Sequence, residues 1–298
     1  AVMARVTVGP SRLERVWEPQ YAGSGRNRVR DLVRLSALDV EDVAWFAGRE
    51  DLELTPEHYG RKGVARFVEV TPELMTLLGF YLAEGSCSDR NGIRLAIGRG
   101  NRRFADEMCD ALVRVFGLPP AAYELDARVG EVKLVHRVAA LAWQHVFGFR
   151  DVDSTTKRVP DLAFNVGEDL RLAFLRGYLL GDGTAVEQRI VFSTSSRDVA
   201  SGVMYLLSSL GVVSSHTSRE PDGVVREIRG APCVTRHTHH AVSVAAREDL
   251  ERLEPVWRDH ANAPQLRAQL AAERPSINRR FEEIDGDLLS LRVESITE

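Results

Sequence analysis

Two carboxylates stand in settings too alike to be independent. Glu84 is the eighth residue of LLGFYLAEG (77–85) and Asp182 the eighth of LRGYLLGDG (175–183), and both segments follow the pattern L-x-G-aromatic-x-L-small-acid-G. Each acid ends an apolar stretch of helical character, where the helix dipole is already negative. Gly79 and Ala83 lie four residues apart, as do Gly177 and Gly181. Each helix therefore carries a strip without bulky side chains on which another backbone can approach closely. Two such helices side by side would gather both acids, which is unfavourable unless a cation sits there. Carboxylate oxygens in that position suit Mg²⁺, or Mn²⁺, shared with a phosphate and water. Either acid alone reads equally well as an ordinary residue before a helix-terminating glycine. The repetition favours the chemical reading, and Gly85 and Gly183 are assigned with the acids to the metal group.

The elements that must position these acids are also repeated. Thr71 is suited to cap the first motif helix, Pro72 to its first position, Glu73 to the positive end of its dipole and Gly85 to its termination. The residues between, Leu74, Met75, Leu77, Leu78, Phe80, Tyr81 and Leu82, are apolar almost all round and place this helix inside the protein. The second helix, 168–182, has the same character. After the first motif come a Gly/Asn/Asp-rich turn (87–92), a strand-like IRLAIGR, then NRRFADEMCDALVRVFGL; after the second come a turn, RIVFST, then SSRDVASGVMYLLSSLGV. Each half reads helix, turn, strands, helix, and the expected class is α+β with two pseudo-symmetric halves. TTKRVPDLAF, with Pro160, reads as the connection. The expected divisions are 1–70, an N-terminal region; 71–160 and 161–265, the two halves; and 266–298, a C-terminal helix and tail.

The net charge of −4 over 298 residues does not advertise nucleic-acid binding, but its distribution is uneven. Between Ser86 and Ala105 stand Arg90, Arg94, Arg99, Arg102 and Arg103 against Asp89 alone. The stretch from Arg5 to Arg34 is also rich in arginine, whereas 36–73 and 248–298 are acidic. Between Gln188 and Arg247 seven arginines and four histidines face four acids, and Arg189, Arg197, Arg226 and Arg236 join the five arginines of 86–105 as the candidates for DNA contact. Lysine occurs only at Lys62, Lys133 and Lys157. Cys87, Cys109 and Cys233, odd in number and without a CxxC, give neither a disulfide framework nor a zinc module. No run approaches the roughly eighteen apolar residues of a membrane span, and the start has no signal-like segment, so a soluble, intracellular protein, cytoplasmic or nucleoid-associated, is expected.

The two motifs resemble those of the LAGLIDADG homing endonucleases, in the version found within inteins. The resemblance covers roughly residues 71–260. It implies two αββαββα halves in one chain, a monomer acting as a pseudo-dimer, with the motif helices at the interface and antiparallel sheets forming a saddle over double-stranded DNA. It carries the metal-binding role of the motif's acid to Glu84 and Asp182. Lys157-Arg158-Val159-Pro160 matches the Lys-x-x-Pro element of intein endonucleases, which implies a catalytic auxiliary role for Lys157. The activity implied is metal-dependent, site-specific hydrolysis of DNA phosphodiesters. DLLSLRVESITE is similar to the stretch leading into an intein's C-terminal splicing block. With neither a splicing-type residue at position one nor a terminal His-Asn, splicing by this chain is not expected. Residues 1–70 are expected to be a DNA-contacting arm or a splicing-domain remnant. The same fold without the chemistry, as a transcriptional regulator or RNA-splicing maturase, is the second reading.

Other signals carry less. HTHH (237–240) in an alternating segment would put two imidazoles on one strand face, but no cysteine or acid stands at helpful spacing for zinc. Gly98-Arg99-Gly100 lacks the third glycine of a dinucleotide fingerprint, and no P-loop or HExxH occurs.

Overall fold

The first motif helix forms where its caps dictate. Thr71 accepts from the backbone N–H of Leu74 through its hydroxyl (3.3 Å) and from that of Met75 through its carbonyl (3.1 Å). Pro72 occupies the first helical position, and Glu73 in the first turn pairs with Arg114. The backbone N–H groups, then the Thr71 hydroxyl and the Arg114 charge, hold the Glu73 carboxyl below the usual carboxylate range. The computed structural model of the chain describes residues 2–5, 32–34, 40, 44, 52–56, 62–124, 129–186, 188–228, 231–272, 281–285 and 288–291.

In chain order the strands and helices are β1 (Val2–Arg5), β2 (Leu32–Arg34), β3 (Glu53–Pro56), β4 (Val64–Ala65), α1 (Pro72–Glu84), β5 (Gly85–Ser88), β6 (Gly92–Gly98), α2 (Ala105–Phe116), β7 (Ala121–Glu124), β8 (Val129–Leu134) and α3 (Arg137–His145). They continue with α4 (Asp161–Phe164), α5 (Glu168–Asp182), β9 (Gly183–Val186), β10 (Arg189–Thr194), α6 (Arg197–Ser209), β11 (Ser215–Arg219), β12 (Val225–Ile228), β13 (Ala231–Val234), β14 (His239–Val244), α7 (Arg247–Arg252), α8 (Glu254–Trp257), α9 (Ala263–Ala271), β15 (Phe281–Asp285) and β16 (Leu288–Leu291). A 3₁₀ turn, Arg99–Phe104, leads into α2. No described helix is long and apolar enough to cross a membrane.

Two compact units result: residues 1–77 with 84–151, and residues 78–83 with 152–298. In the first, an antiparallel sheet of order β5-β6-β8-β7 buries Ile93, Leu95, Ile97, Val132 and Leu134 on one face. Trp143 of α3 packs against the rings of Phe116, Phe147 and Phe149. A further antiparallel sheet, β2-β1-β3-β4, belongs to this unit, and the His136 ring lies 3.0 Å from the Lys62 carbonyl. The first half thus runs α1-β5-β6-α2-β7-β8-α3.

The second unit repeats this order as α5-β9-β10-α6-β11-β14-α7, with sheet order β9-β10-β14-β11. Ala185, Ile190, Phe192, Val242 and Val244 form its buried face, on which Tyr178 of α5 stacks against Phe192. The fold is therefore α+β with two αββαββα halves, as the repeat and the resemblance led one to expect. One departure is the β12–β13 hairpin, inserted where the first half joins β7 to β8 directly.

Candidate active site

Both motif acids end their helices, and the chain turns at once into a strand: Gly85 pairs with Leu95 and Gly183 with Phe192. Gly183 does not stop α5 in the left-handed conformation common at helix ends. Its backbone is extended (φ −103°), and glycine is required because a Cβ there would lie 2.4–2.7 Å from Leu179 atoms. Glu84 is half-buried. Asp182 keeps solvent-accessible surface, yet protein crowds it: partial burial pushes its carboxyl up to about 6, while the Lys157 ammonium pulls it down.

Lys157 is buried (8 % exposed), which is unusual for lysine. Its Nζ donates to the carbonyls of Tyr81 (3.2 Å) and Leu82 (3.0 Å) and lies 5.2 Å from the centre of the Tyr81 ring. A cation at these carbonyls opposes the negative pole at the end of α1. The Tyr178 hydroxyl donates to the Ser193 carbonyl (2.7 Å); burial, then the Asp182 charge, raises its pKa and keeps it a neutral phenol.

The small-residue strip has a structural use at Gly79. A Cβ there would lie 2.0 Å from the Phe174 carbonyl oxygen and 2.8 Å from the Tyr178 nitrogen, so the backbone of α1 touches that of α5.

The arginines fall less neatly than a basic strand array would require. Arg94 on β6 and Arg189 on β10 point to the sheet faces opposite the cores. Arg90 lies in the β5–β6 turn, Arg102 and Arg103 on the 3₁₀ turn, Arg197 at the start of α6, and Arg236 between β13 and β14, all exposed. The side chains of Arg99 and Arg226 lie outside the described residues, as do residues 6–31 with their arginines and 292–298 of the tail. Arg94 is committed to the fold as well, since its Nε donates to the buried carboxylate of Glu131.

Residues that sequence reasoning did not single out complete these faces. Lys133 stands directly across from Arg94 in the β6–β8 register, and Arg219 across from His239 in the β11–β14 register. Alternation in EVKLV, together with the scarcity of lysine, was the signal that could have found Lys133. The imidazoles of HTHH are not on one strand face. β14 begins at His239, so His239 and His240 face opposite ways; His240 is buried and lies 3.1 Å, nitrogen to nitrogen, from His216 of the neighbouring strand. Burial, then the proximity of His216, lowers the His240 pKa. Among the described residues no group of three or more His, Cys, Asp or Glu is arranged to hold a metal ion.

Comparison with known proteins bears on the identity of these halves. Residues 169–254 match the LAGLIDADG-like domain. The chain is 29% identical over 209 residues to a DNA polymerase of Thermococcus hydrothermalis, covering 67% of this chain and 11% of that protein. It is 25% identical over 224 residues to an A-type ATP synthase component of Methanopyrus kandleri, covering 74% of this chain and 20% of that protein. The chain thus spans only a tenth to a fifth of the length of these relatives. Among solved structures, the homing endonuclease I-DmoI in complex with DNA and Mn superposes with a TM-score of 0.44 at 12% identity, covering 64% of this chain and 99% of that one. The motif at the end of α5 and the strands that follow it, β9, β10, β11 and β14, lie within the residues, 169–254, that resemble a LAGLIDADG-like domain.

Proposed function

We propose that the chain is a site-specific double-stranded DNA endonuclease of the LAGLIDADG homing type, derived from an intein, that hydrolyses phosphodiester bonds with Mg²⁺ or Mn²⁺. The observation that carries this reading is the buried Lys157 ammonium at the end of the first motif helix, electrostatically coupled to Asp182 at the end of the second. The relatives support the inserted origin. A polymerase and an ATP synthase component have no activity in common, yet each resembles this chain over one segment amounting to a small part of its length, as a mobile insertion would.

A hard divalent cation suits each motif acid: Glu84 and Asp182 each offer carboxylate oxygens at a negative helix end, and Asp182 is partly desolvated, which a cation would relieve. When bound, the ion supplies activation of water and stabilisation of negative charge on phosphate oxygens. Lys157 contributes a fixed positive charge beside that chemistry. Arg94, Lys133, Arg189, Arg219 and His239, on the solvent faces of the sheets, contact phosphates and base edges. The two halves of one monomer serve the two strands.

A plasmid library carrying randomised inserts, incubated with the protein and Mg²⁺, Mn²⁺ or EDTA, tests this. The expected outcome is linearisation at one sequence class, only with metal. Glu84→Gln and Asp182→Asn should each remove most cleavage while DNA binding survives, and the double variant should be little worse than the more damaging single change, because groups acting as a unit lose function non-additively. Sequence-selective binding without cleavage under every metal would replace this reading by that of a DNA-binding regulator.

A further inference from the structure

We propose that Asp153 and Ser196 are positioning residues for Lys157, gripping its backbone from both sides so that the ammonium can reach the end of α1. The proposal rests on the reading of Lys157 as a working cation. On the N-terminal side the carboxylate of Asp153 organises its own loop. Its Oδ1 accepts from the backbone N–H (2.8 Å) and hydroxyl (2.7 Å) of Thr155 and from the N–H and hydroxyl of Thr156, both at 3.0 Å. The Asp153 N–H donates to the Thr156 hydroxyl (2.9 Å), and the Asp153 carbonyl accepts from the Lys157 N–H (3.0 Å). These bonds, the Thr155 hydroxyl first, hold the Asp153 carboxyl down at about 2.

On the other side the fully buried Ser196 hydroxyl donates to the Lys157 carbonyl at 2.6 Å. The same oxygen caps α6 by accepting from the Val199 N–H (3.3 Å), and the Ser196 N–H donates to the Thr194 hydroxyl (3.0 Å). Ser196 thereby ties Lys157 to the end of β10 and the start of α6, and the buried Val159 and Pro160 anchor the chain just beyond.

Asp153 is exposed and supports no core packing, so a carboxylate with this many acceptor bonds calls for an explanation other than burial. What it fixes is the entry of the loop into Lys157. A lysine side chain has four rotatable bonds. Freed at its backbone it would leave the carbonyls of Tyr81 and Leu82, and displacements on the order of 1 Å can cost on the order of a hundredfold in rate. The bonds that Asp153 and Ser196 make to Lys157 go to its main chain, and it is through the main chain that both act.

The test has two arms, both on the full chain. With ¹⁵N-lysine labelling the three lysines give three ammonium environments, of which Lys157 alone is buried and is expected to show slow hydrogen exchange. Asp153→Ala and Ser196→Ala should abolish that protection while Lys62 and Lys133 signals stay in place; Asp153→Asn and Ser196→Thr, which keep the acceptor and the hydroxyl, should restore it. Lys157 protection unchanged in Asp153→Ala overturns the proposal whether or not the protein cuts DNA. In the second arm, Asp153→Ala should slow single-turnover cleavage roughly tenfold or more at unchanged DNA affinity, with most of the rate recovered in Asp153→Asn, and should add nothing in a Lys157→Ala background. An equal further loss in that background also overturns it. Absence of cleavage by the parent protein rejects the endonuclease reading and leaves the exchange arm to decide the positioning role.

Discussion

Replacing Gly79 by alanine puts a methyl group where α5 has its backbone. The new Cβ would lie 2.0 Å from the Phe174 carbonyl oxygen, 2.8 Å from the Tyr178 nitrogen and 3.0 Å from the Phe174 carbonyl carbon. All three are main-chain atoms, so no side-chain rotation relieves the clash, and the helices must separate locally by about 1 Å, which forfeits roughly a quarter to a half of the dispersion energy at each contact across that seam. Over some tens of atom pairs this loss comes to about 2 kcal/mol. Residual overpacking strain adds about 1–3 kcal/mol, and the better helix propensity of alanine returns about 1 kcal/mol. The net expectation is a destabilisation of about 2–4 kcal/mol, which for a body of this size lowers the melting midpoint by about 5–15 °C. Thermal melts followed by circular dichroism read this directly. Gly98→Ala, where a Cβ meets nothing within 4 Å, is the control and should stay within about 0.5 kcal/mol of the parent. A Gly79→Ala protein melting within about 2 °C of the parent would refute the backbone contact.

Asp182→Asn should raise the melting midpoint of the metal-free protein at pH 8. The folded-state pKa, about 6, lies above the ordinary 3.8, so ionised Asp182 costs stability fully above about 6, and that cost vanishes as pH falls to 3.8. The gain must therefore shrink between pH 6 and pH 4; an equal gain at pH 4 and pH 8 would point to another origin. Lys133→Ala should weaken duplex DNA binding across sequences and reduce the slope of log affinity against log salt by about 0.9, as expected for one lost phosphate contact. A slope unchanged from the parent would remove Lys133 from the DNA face. Arg94→Ala should lower the melting midpoint as well as affinity, because it strips the guanidinium from the buried carboxylate of Glu131; melts of the two variants side by side separate the roles.

The motif helices were legible because their signals are local. Thr71, Pro72 and Glu73 mark the start of α1, the apolar residues after them leave no polar face, and repetition identifies α5 as its counterpart. Lys157 was legible only through a resemblance, since the carbonyls it meets are 75 and 76 residues earlier in the chain. Ser196, which caps α6, was not singled out, and its second bond, to a carbonyl 39 residues away, follows from tertiary structure alone. The basic stretches were visible and their faces were not. Composition says that Arg102 and Arg103 are near β6, whereas the 3₁₀ turn that removes them from the strand depends on where pairing with β8 ends, at Gly98. His239 and His240 illustrate the same point: a shift of one residue in the pairing register would exchange the buried ring for the exposed one.

Helix α1 is continuous in the chain but is shared between the two compact units, its residues 78–83 belonging with 152–298. This imposes an order on synthesis. The segment from Leu78 to Ala83 leaves the ribosome well before Phe174, Tyr178 and Lys157 exist; the delay between Tyr81 and Lys157 alone, 76 residues, is about 4–15 s at ordinary rates of translation. Throughout that interval an apolar turn waits for the helix and the ammonium that will pack against it. A split-protein version cut near residue 151 would meet the same difficulty permanently, because the C-terminal fragment would lack six residues of its own interior. Reassembly from such pieces would depend on the N-terminal fragment presenting half a helix, correctly capped, to a stranger.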